Sequence, residues 1–390
     1  MADLKVAKIA LDIPRSGVFD FAAPDIRLED VGRLAIVPWG PRKLAGVILD
    51  IADHTEVPAE KLRAIVHIQR DWPALTAADL ALFRFCAGYY HHAIGAVILN
   101  AVPPRLREPR PLVLPVPRRF ALAAGGQERL AQPARARALH RILDDIAAGI
   151  GDEQTLKSRH AGWAAKIARL LNEGWVDIDR QPVAKTAKPA NRTSLVAGPA
   201  LNAAQQTAVE SINGAAGRFE QLLLDGVTGS GKTEVYLHTI ARTIEKGGQV
   251  LVLMPEINLT PQFLGHVNAR LEGARVTALH SALNATERTE RYLDAARGVS
   301  DVVIGTRLAV FTPMPRLTLI IVDEEHDASF KQQEGLRYSA RDVATMRAKQ
   351  INCPVVLGSA TPSLESLANV QRGRCRVLRL PERANPAARL

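Results

Sequence analysis

The sequence predicts a multidomain chain: a small, mostly β module, then a helical unit, then an α/β lobe built on a parallel sheet. Three observations carry that prediction. From Leu201 onward, apolar strand-like runs alternate with helical stretches, the spacing of a parallel sheet with helices on both faces. The first hundred residues instead hold short β-like runs parted by turn residues. Between these regions, residues 119–180 run helix, short helix, helix, strand, the order of a winged helix.

A chain of 390 residues accommodates two to four domains, and 47% hydrophobic with 23% charged residues is ordinary globular composition. It carries no apolar run of membrane-spanning length and no apolar leader, so the expected compartment is the cytoplasm and no membrane partner is expected. Cys86, Cys353 and Cys375 are too few and too far apart for a disulfide framework or a cysteine-rich zinc site within these residues. They read as small buried apolar side chains. The net charge of +10 is concentrated. Residues 105–141 hold Arg105, Arg107, Arg110, Arg118, Arg119, Arg129, Arg135, Arg137 and Arg141 against only Glu108 and Glu128. Such a stretch suits a polyanion such as DNA or RNA, or forms a solvated charged surface.

In chain order, Val6–Leu11, Arg33–Val37, Ala45–Ile51 and Ala64–Ile68 read as strands, with a turn at Pro38-Trp39-Gly40-Pro41. Ala77–Tyr90 has helical spacing. Pro103–Pro117, with six prolines, reads as a semi-rigid connector. Arg135–Ala147, Thr155–His160 and Gly162–Glu173 are candidate helices, and Gly174–Ile178 a strand. This is a winged helix or a helical spacer without DNA contact. Gln181–Ala200, carrying Pro182, Pro189 and Pro199, reads as a linker. The strands of the lobe are Leu222–Asp225, Gln249–Pro255, Arg275–Ala278, Asp301–Ile304, Leu317–Val322 and Pro354–Leu357. There are no internal repeats.

The chemistry sits in the lobe. Gly226-Val227-Thr228-Gly229-Ser230-Gly231-Lys232-Thr233 fits the pattern G-x-x-x-x-G-K-[ST], between a buried strand and a helix. Backbone N–H groups of such a loop face the phosphates of ATP or GTP, Lys232 reaches the β/γ-phosphates, and the Thr233 hydroxyl meets Mg²⁺. The apolar run Leu319–Val322 ends in Asp323-Glu324-Glu325-His326, and ligands of such sheets bind beyond the carboxyl ends of the strands. Asp323 is expected to hold Mg²⁺ and Glu324 to orient and deprotonate the attacking water. Phe330–Tyr338 mixes aromatic, glutamine and basic side chains, a composition that suits stacking against single-stranded bases and that ordinary loops share. Gly358-Ser359-Ala360-Thr361-Pro362 is a small hydroxyl-bearing turn able to relay nucleotide state.

Phosphate loop, Asp-Glu-Glu-His and Ser-Ala-Thr, in that order, resemble the first three motifs of superfamily 2 helicases of the DExH type. Asp225–Tyr236, Met254–Gln262, Asp323–Arg341 and Tyr89–Gly95 resemble the bacterial replication-restart helicases more specifically, over essentially the whole chain. The resemblance implies a RecA-like lobe at 201–390, a domain at 1–104 holding a leading-strand 3′ end, a basic connector with winged helix at 105–180, and a linker at 181–200. It implies that Gln205 reads adenine. Thr306 and Arg307 would contact DNA, and Phe330, Lys331, Arg337 and Tyr338 would couple DNA binding to ATP hydrolysis. Phe19 and Asp20 would line a terminal-nucleotide pocket, with Arg63 where the family usually has lysine. Implied partners are forked and single-stranded DNA, single-stranded DNA-binding protein, and primosome or helicase-loader proteins.

The family's zinc-binding cysteines and second-lobe arginine finger have no counterpart in these residues. Weak ATP binding and little hydrolysis by this chain alone are therefore expected, because such a finger contributes orders of magnitude in rate. The leading expectation is an ATP-dependent 3′→5′ DNA helicase that restarts replication. The competing one is a structure-specific DNA-binding protein retaining only the ATP-binding lobe. A nucleotide-driven signalling switch accounts for neither the basic stretch nor the aromatic loop.

Overall fold

The structure is a computed structural model and is described for residues 5–13, 17–113, 118–132, 137–179 and 194–384. Residues 1–112 cluster with 187–390 as one compact unit, and 113–186 form a second.

In the first unit, β1 (Val6–Leu11), β2 (Phe19–Ala22), β3 (Leu34–Trp39), β4 (Arg42–Ala52) and β5 (His67–Ile68) make an antiparallel sheet ordered β2-β1-β4-β3-β5. Alternating apolar residues place Ile9, Leu11, Phe21, Val37 and Ile48 in its core. The fourth expected strand shrinks to two residues for a visible reason. Ile65 N–H donates to the Ala22 carbonyl and Val66 N–H to the Ile36 carbonyl, so the segment changes partner before a ladder can form. Helix α1 (Ala77–Tyr89) starts at a capping box between Thr76 and Asp79, and α2 (Ile94–Ala101) follows.

The second unit pairs β6 (Arg119–Leu122) with β7 (Val176–Asp179) around helices α3 (Ala124–Leu130), α4 (Arg137–Ala147), α5 (Glu153–Arg159) and α6 (Trp163–Asn172). The expected start of α4 at Arg135 lies outside the described residues. Helix α3, which contains Gly125-Gly126, was not among the expected helices. There the missing side chain is a packing requirement: a Cβ on Gly126 would lie 2.0 Å from the Trp175 carbonyl oxygen.

Of the expected linker and connector, residues 181–193 and 114–117 lie outside the described residues. Ser194–Leu195 (β8) pairs with Leu271–Glu272 (β11). The lobe then runs α7 (Ala203–Gly214), β9 (Glu220–Gly226), α8 (Lys232–Glu245), β10 (Gln249–Leu253), α9 (Pro261–Arg270), β12 (Val276–Leu279), α10 (Ala285–Ala296), β13 (Val302–Gly305), β14 (Leu317–Val322), α11 (Ala340–Gln350), β15 (Pro354–Ser359), α12 (Leu364–Gln371) and β16 (Arg376–Leu380). Its seven strands are parallel and ordered β12-β13-β10-β14-β15-β9-β16. β10, β14 and β15 are mostly apolar and, Thr318 apart, buried on both faces, as interior parallel strands are. The N-terminal module meets this lobe inside one unit. Phe83 of α1 stacks on Phe311 at 5.6 Å, and Asp79 lies 3.8 Å from the buried Arg347 of α11. Among the described residues no helix is long and apolar enough to cross a membrane.

Candidate nucleotide and nucleic-acid site

β9, β15 and β14 lie side by side, so the loop after β9, the hydroxyl turn after β15 and the acidic run after β14 emerge at one edge. The loop closes tightly because Gly229 and Gly231 take φ of 78° and 81°, values that side chains rarely adopt. A Cβ on Gly231 would also lie 2.3 Å from the Gln205 amide nitrogen. Lys232 Nζ donates to the Gly226 carbonyl at 3.1 Å and lies 3.7 Å from Glu324. The loop is thus curled around its own lysine. Ser230 Oγ is buried in it without a hydrogen-bond partner among the described residues. A short glycine cradle, an inward lysine, an orphaned hydroxyl and the start of α8 fit the phosphates of a nucleotide, and Thr233 with Asp323 fits the Mg²⁺ that travels with it.

Asp323 is held from two sides. Its N–H donates to the Leu253 carbonyl at 2.8 Å, and its Oδ1 accepts from the Tyr236 hydroxyl at 2.9 Å. Burial pushes its pKa up, the adjacent Glu324 adds to this, and the Tyr236 bond and Lys232 oppose it. Gly358 on β15 makes room for that phenol, because a Cβ there would lie 1.7 Å from the Tyr236 oxygen. Glu324 has φ of 49°, a region unfavourable to a side chain, and its carboxylate lies between Lys232 and His326, 3.7 Å from each.

The next two residues face the hydroxyl turn. Glu325, 2% exposed, accepts hydrogen bonds from Ser363 N–H at 2.7 Å, from Ser363 Oγ and Ser366 Oγ at 2.9 Å each, and from Arg341 at 3.1 Å. His326 is bonded through Nδ1 to Ser359 Oγ at 2.8 Å and through Nε2 to Thr361 Oγ1 at 3.3 Å. The acidic run and the turn after β15 are one hydrogen-bonded unit.

Other sequence-derived candidates fall near by. Gln205 is buried, donating to the Ser230 carbonyl at 2.8 Å and accepting from Asn202 N–H, so it braces the phosphate loop from behind. Thr306 N–H donates to the Leu279 carbonyl, and Arg307 donates to the carbonyls of Ser329 and Lys331 at 3.0 and 3.2 Å. Lys331 and Arg337 are exposed. Phe330 and Tyr338 are not the exposed stacking faces that their loop's composition allows. They are 3% and 1% exposed, Tyr338 packs 5.0 Å from Phe311, and burying two rings outweighs leaving them in water.

The N-terminal candidates lie elsewhere, on the antiparallel sheet. Asp20 accepts from Lys8 Nζ at 3.4 Å and Thr55 Oγ1 at 2.6 Å, Phe19 meets Trp39 edge-to-face at 5.0 Å, and Arg63 is exposed. No role was read from the sequence for Tyr236, or for the contacts that Glu325 and Arg341 make. A signal for Tyr236 existed: it is four residues after Lys232, on the same helix face. No local pattern marks Glu325 over its neighbours.

Residues 202–370 match the family model of the DEAD/DEAH box helicases, and residues 8–103 match the model of the 3′ DNA-binding domain (3′BD) of PriA. The chain is similar to the replication restart protein PriA of Haemophilus influenzae, 36% identical over 99% of this chain and 53% of that protein. It is 31% identical to PriA of Synechocystis over 97% of this chain and 55% of the relative. It is 47% identical to PriA of Bacillus subtilis over 42% of this chain and 20% of the relative. The chain spans about half the length of the relatives it matches from end to end.

Proposed function

Because this chain belongs to the family of the replication restart protein PriA, we propose that it serves an ATP-driven 3′→5′ DNA helicase or translocase that recognises stalled or forked DNA. In this reading it initiates replication restart by primosome assembly. Residues 1–104 hold a leading-strand 3′ end, 105–180 supply the basic connector and winged helix, 181–200 link, and 201–390 are the motor lobe. Forked and single-stranded DNA are the substrates. Single-stranded DNA-binding protein and helicase-loader proteins are the partners.

The observation that carries the reading is the wiring between two sites. The carboxylates beside the phosphate loop belong to the same loop whose far end holds Lys331 and Arg337, and Arg341 closes the circuit by bonding Glu325 at 3.1 Å and Ser363 at 2.8 Å. Arg307, in the turn after β13, ties in through the Ser329 and Lys331 carbonyls. A change at the acidic run therefore reaches groups that face DNA.

The roles follow from position. Gly226, Val227, Thr228, Gly229, Ser230 and Gly231 cradle phosphates, with Lys232 against the β/γ end and Gln205 supporting the loop near the base. Thr233 and Asp323 would hold Mg²⁺, whose chemistry when bound is to neutralise charge developing on the phosphates. Glu324 receives the proton of the attacking water. Glu325 and His326 hold the hydroxyl turn.

The test is anisotropy titration of the full chain with forks bearing a free or a phosphate-blocked leading-strand 3′ end. Preference for the free end that falls at least fivefold in Asp20→Ala supports the reading. Equal affinity for both forks in the parent chain contradicts it.

A further inference from the structure

Within the larger compact unit, a cavity of about 350 Å³ opens between the end of the N-terminal module and the lobe. That volume is within the range of about 300–1,000 Å³ at which pockets hold small molecules or single nucleotide-sized groups. The single turn Pro104–Arg107 supplies Arg107, α10 supplies Arg288, the turn after β13 supplies Arg307, and the end of β12 leads to His280. Val102, Pro103 and Leu308 give it an apolar side.

Its positive charge is only partly offset. Glu256 is the one carboxylate in the lining, and Ser281 already occupies it through N–H and hydroxyl. The guanidiniums are anchored by backbone carbonyls instead. Arg107 Nε donates to Val102 at 2.8 Å, Arg288 to Ser281 at 3.0 Å, and Arg307 to Ser329 at 3.0 Å. No salt bridge reaches any of the three among the described residues. Carbonyl anchoring fixes a guanidinium without neutralising it, leaving the rest of its fork free for an anion. Burial lowers the pKa of Arg107, Asp12 partly restores it, and Arg288 lowers it by a smaller amount. His280 is likewise lowered, first by burial and then by Arg291 and Arg288, against the pull of Glu256 and Glu287. The Tyr338 hydroxyl is buried at the cavity wall beside Arg307.

We propose that this cavity is a phosphate site for the single DNA strand, in which Arg107 and Arg288 join Arg307 to carry the strand from the lobe to the N-terminal module. The inference rests on the DNA-motor reading above and deepens it. It gives Arg107, from the basic stretch, a defined ligand. It also makes the N-terminal module part of the track, so strand movement on the lobe is felt at the 3′-end module.

The experiment titrates a twenty-residue oligo-dT onto the full chain across a range of salt, and an Mg²⁺–ATP analogue in parallel. Arg107→Met is expected to weaken oligo-dT binding roughly tenfold and to reduce the salt slope by about 0.7 for the lost phosphate contact, with nucleotide binding unchanged. Arg288→Met should do the same, and Arg107→Lys should keep the salt slope while losing part of the affinity. These two variants keep the test decisive if Arg107→Met melts early. Wild-type oligo-dT affinity and slope in well-folded variants would overturn the proposal and leave the DNA reading standing. Free dTMP displacing oligo-dT from the parent chain but not from the variants would reassign the cavity to free nucleotides. A parent chain that binds no oligo-dT at all would remove both the proposal and the reading beneath it.

Discussion

Tyr236→Phe removes one oxygen and isolates what Tyr236 does for the site. The phenol donates at 2.9 Å to the buried carboxylate of Asp323, and Gly358 exists without a side chain to admit it. A hydrogen bond to a charged group contributes about 1.5–3 kcal/mol, and here water does not replace the lost donor because Tyr236 is only 6% exposed. Burial and Glu324 already raise the pKa of Asp323, and the Tyr236 bond is the largest influence opposing them. Removing it raises the carboxyl further, by about one unit for each 1.4 kcal/mol lost. A more easily protonated Asp323 is a poorer Mg²⁺ ligand. Affinity for Mg²⁺–ATP should therefore fall roughly ten- to a hundredfold, most at low pH, and recover partly as pH rises. Titration calorimetry with a slowly hydrolysed ATP analogue from pH 6 to 9 measures this. Equal affinity and an unmoved pH profile in a variant that folds normally would refute the reasoning.

Arg341→Ala cuts the link from Glu325 to the loop carrying Lys331 and Arg337. Nucleotide and DNA should each still bind the variant, but their mutual enhancement, typically about 1–3 kcal/mol in coupled sites, should fall to near zero in titrations with and without the other ligand. In the N-terminal module, Arg70 bonds the buried Asp30 at 2.7 and 2.9 Å. That hydrogen bond, with help from Arg27 N–H and Arg33, lowers the pKa of Asp30 below its ordinary value of 3.8. The folded pKa is depressed, so this stabilisation is complete above about pH 4 and is lost as pH falls through the folded value. Arg70→Met should cost about 1–3 kcal/mol at pH 7 and start acid unfolding at higher pH, as followed by circular dichroism. A variant with unchanged acid unfolding would remove the pair from the account.

The parallel lobe was legible because its signals are local. β14 ends in the continuous apolar run Leu319–Val322, the phosphate loop is a contiguous pattern, and the strands lie within a few residues of their expected bounds. Less legible were elements whose existence depends on distant partners. β16 alternates arginine with apolar residues and becomes a strand only because β9 offers an edge. β2 is four residues long and is completed by β1. In the site, sequence marked the phosphate-loop and acidic candidates but not the residues that hold them in place. Tyr236, Glu325 and Gly358 act through contacts between elements far apart in the chain, which no spacing along the chain records. The aromatic loop shows the opposite failure. Composition allowed exposed stacking for Phe330 and Tyr338, and both rings are instead buried, Tyr338 against Phe311.

The central claim is that the loop around Lys232 binds a triphosphate and passes its presence to DNA. The direct measurement is titration of the full chain with a fluorescent ATP analogue and Mg²⁺, with and without forked DNA, beside Lys232→Ala. The account predicts Mg²⁺-dependent binding that forked DNA strengthens and that Lys232→Ala weakens at least tenfold. Binding that is indifferent to Lys232, or to DNA, would contradict it.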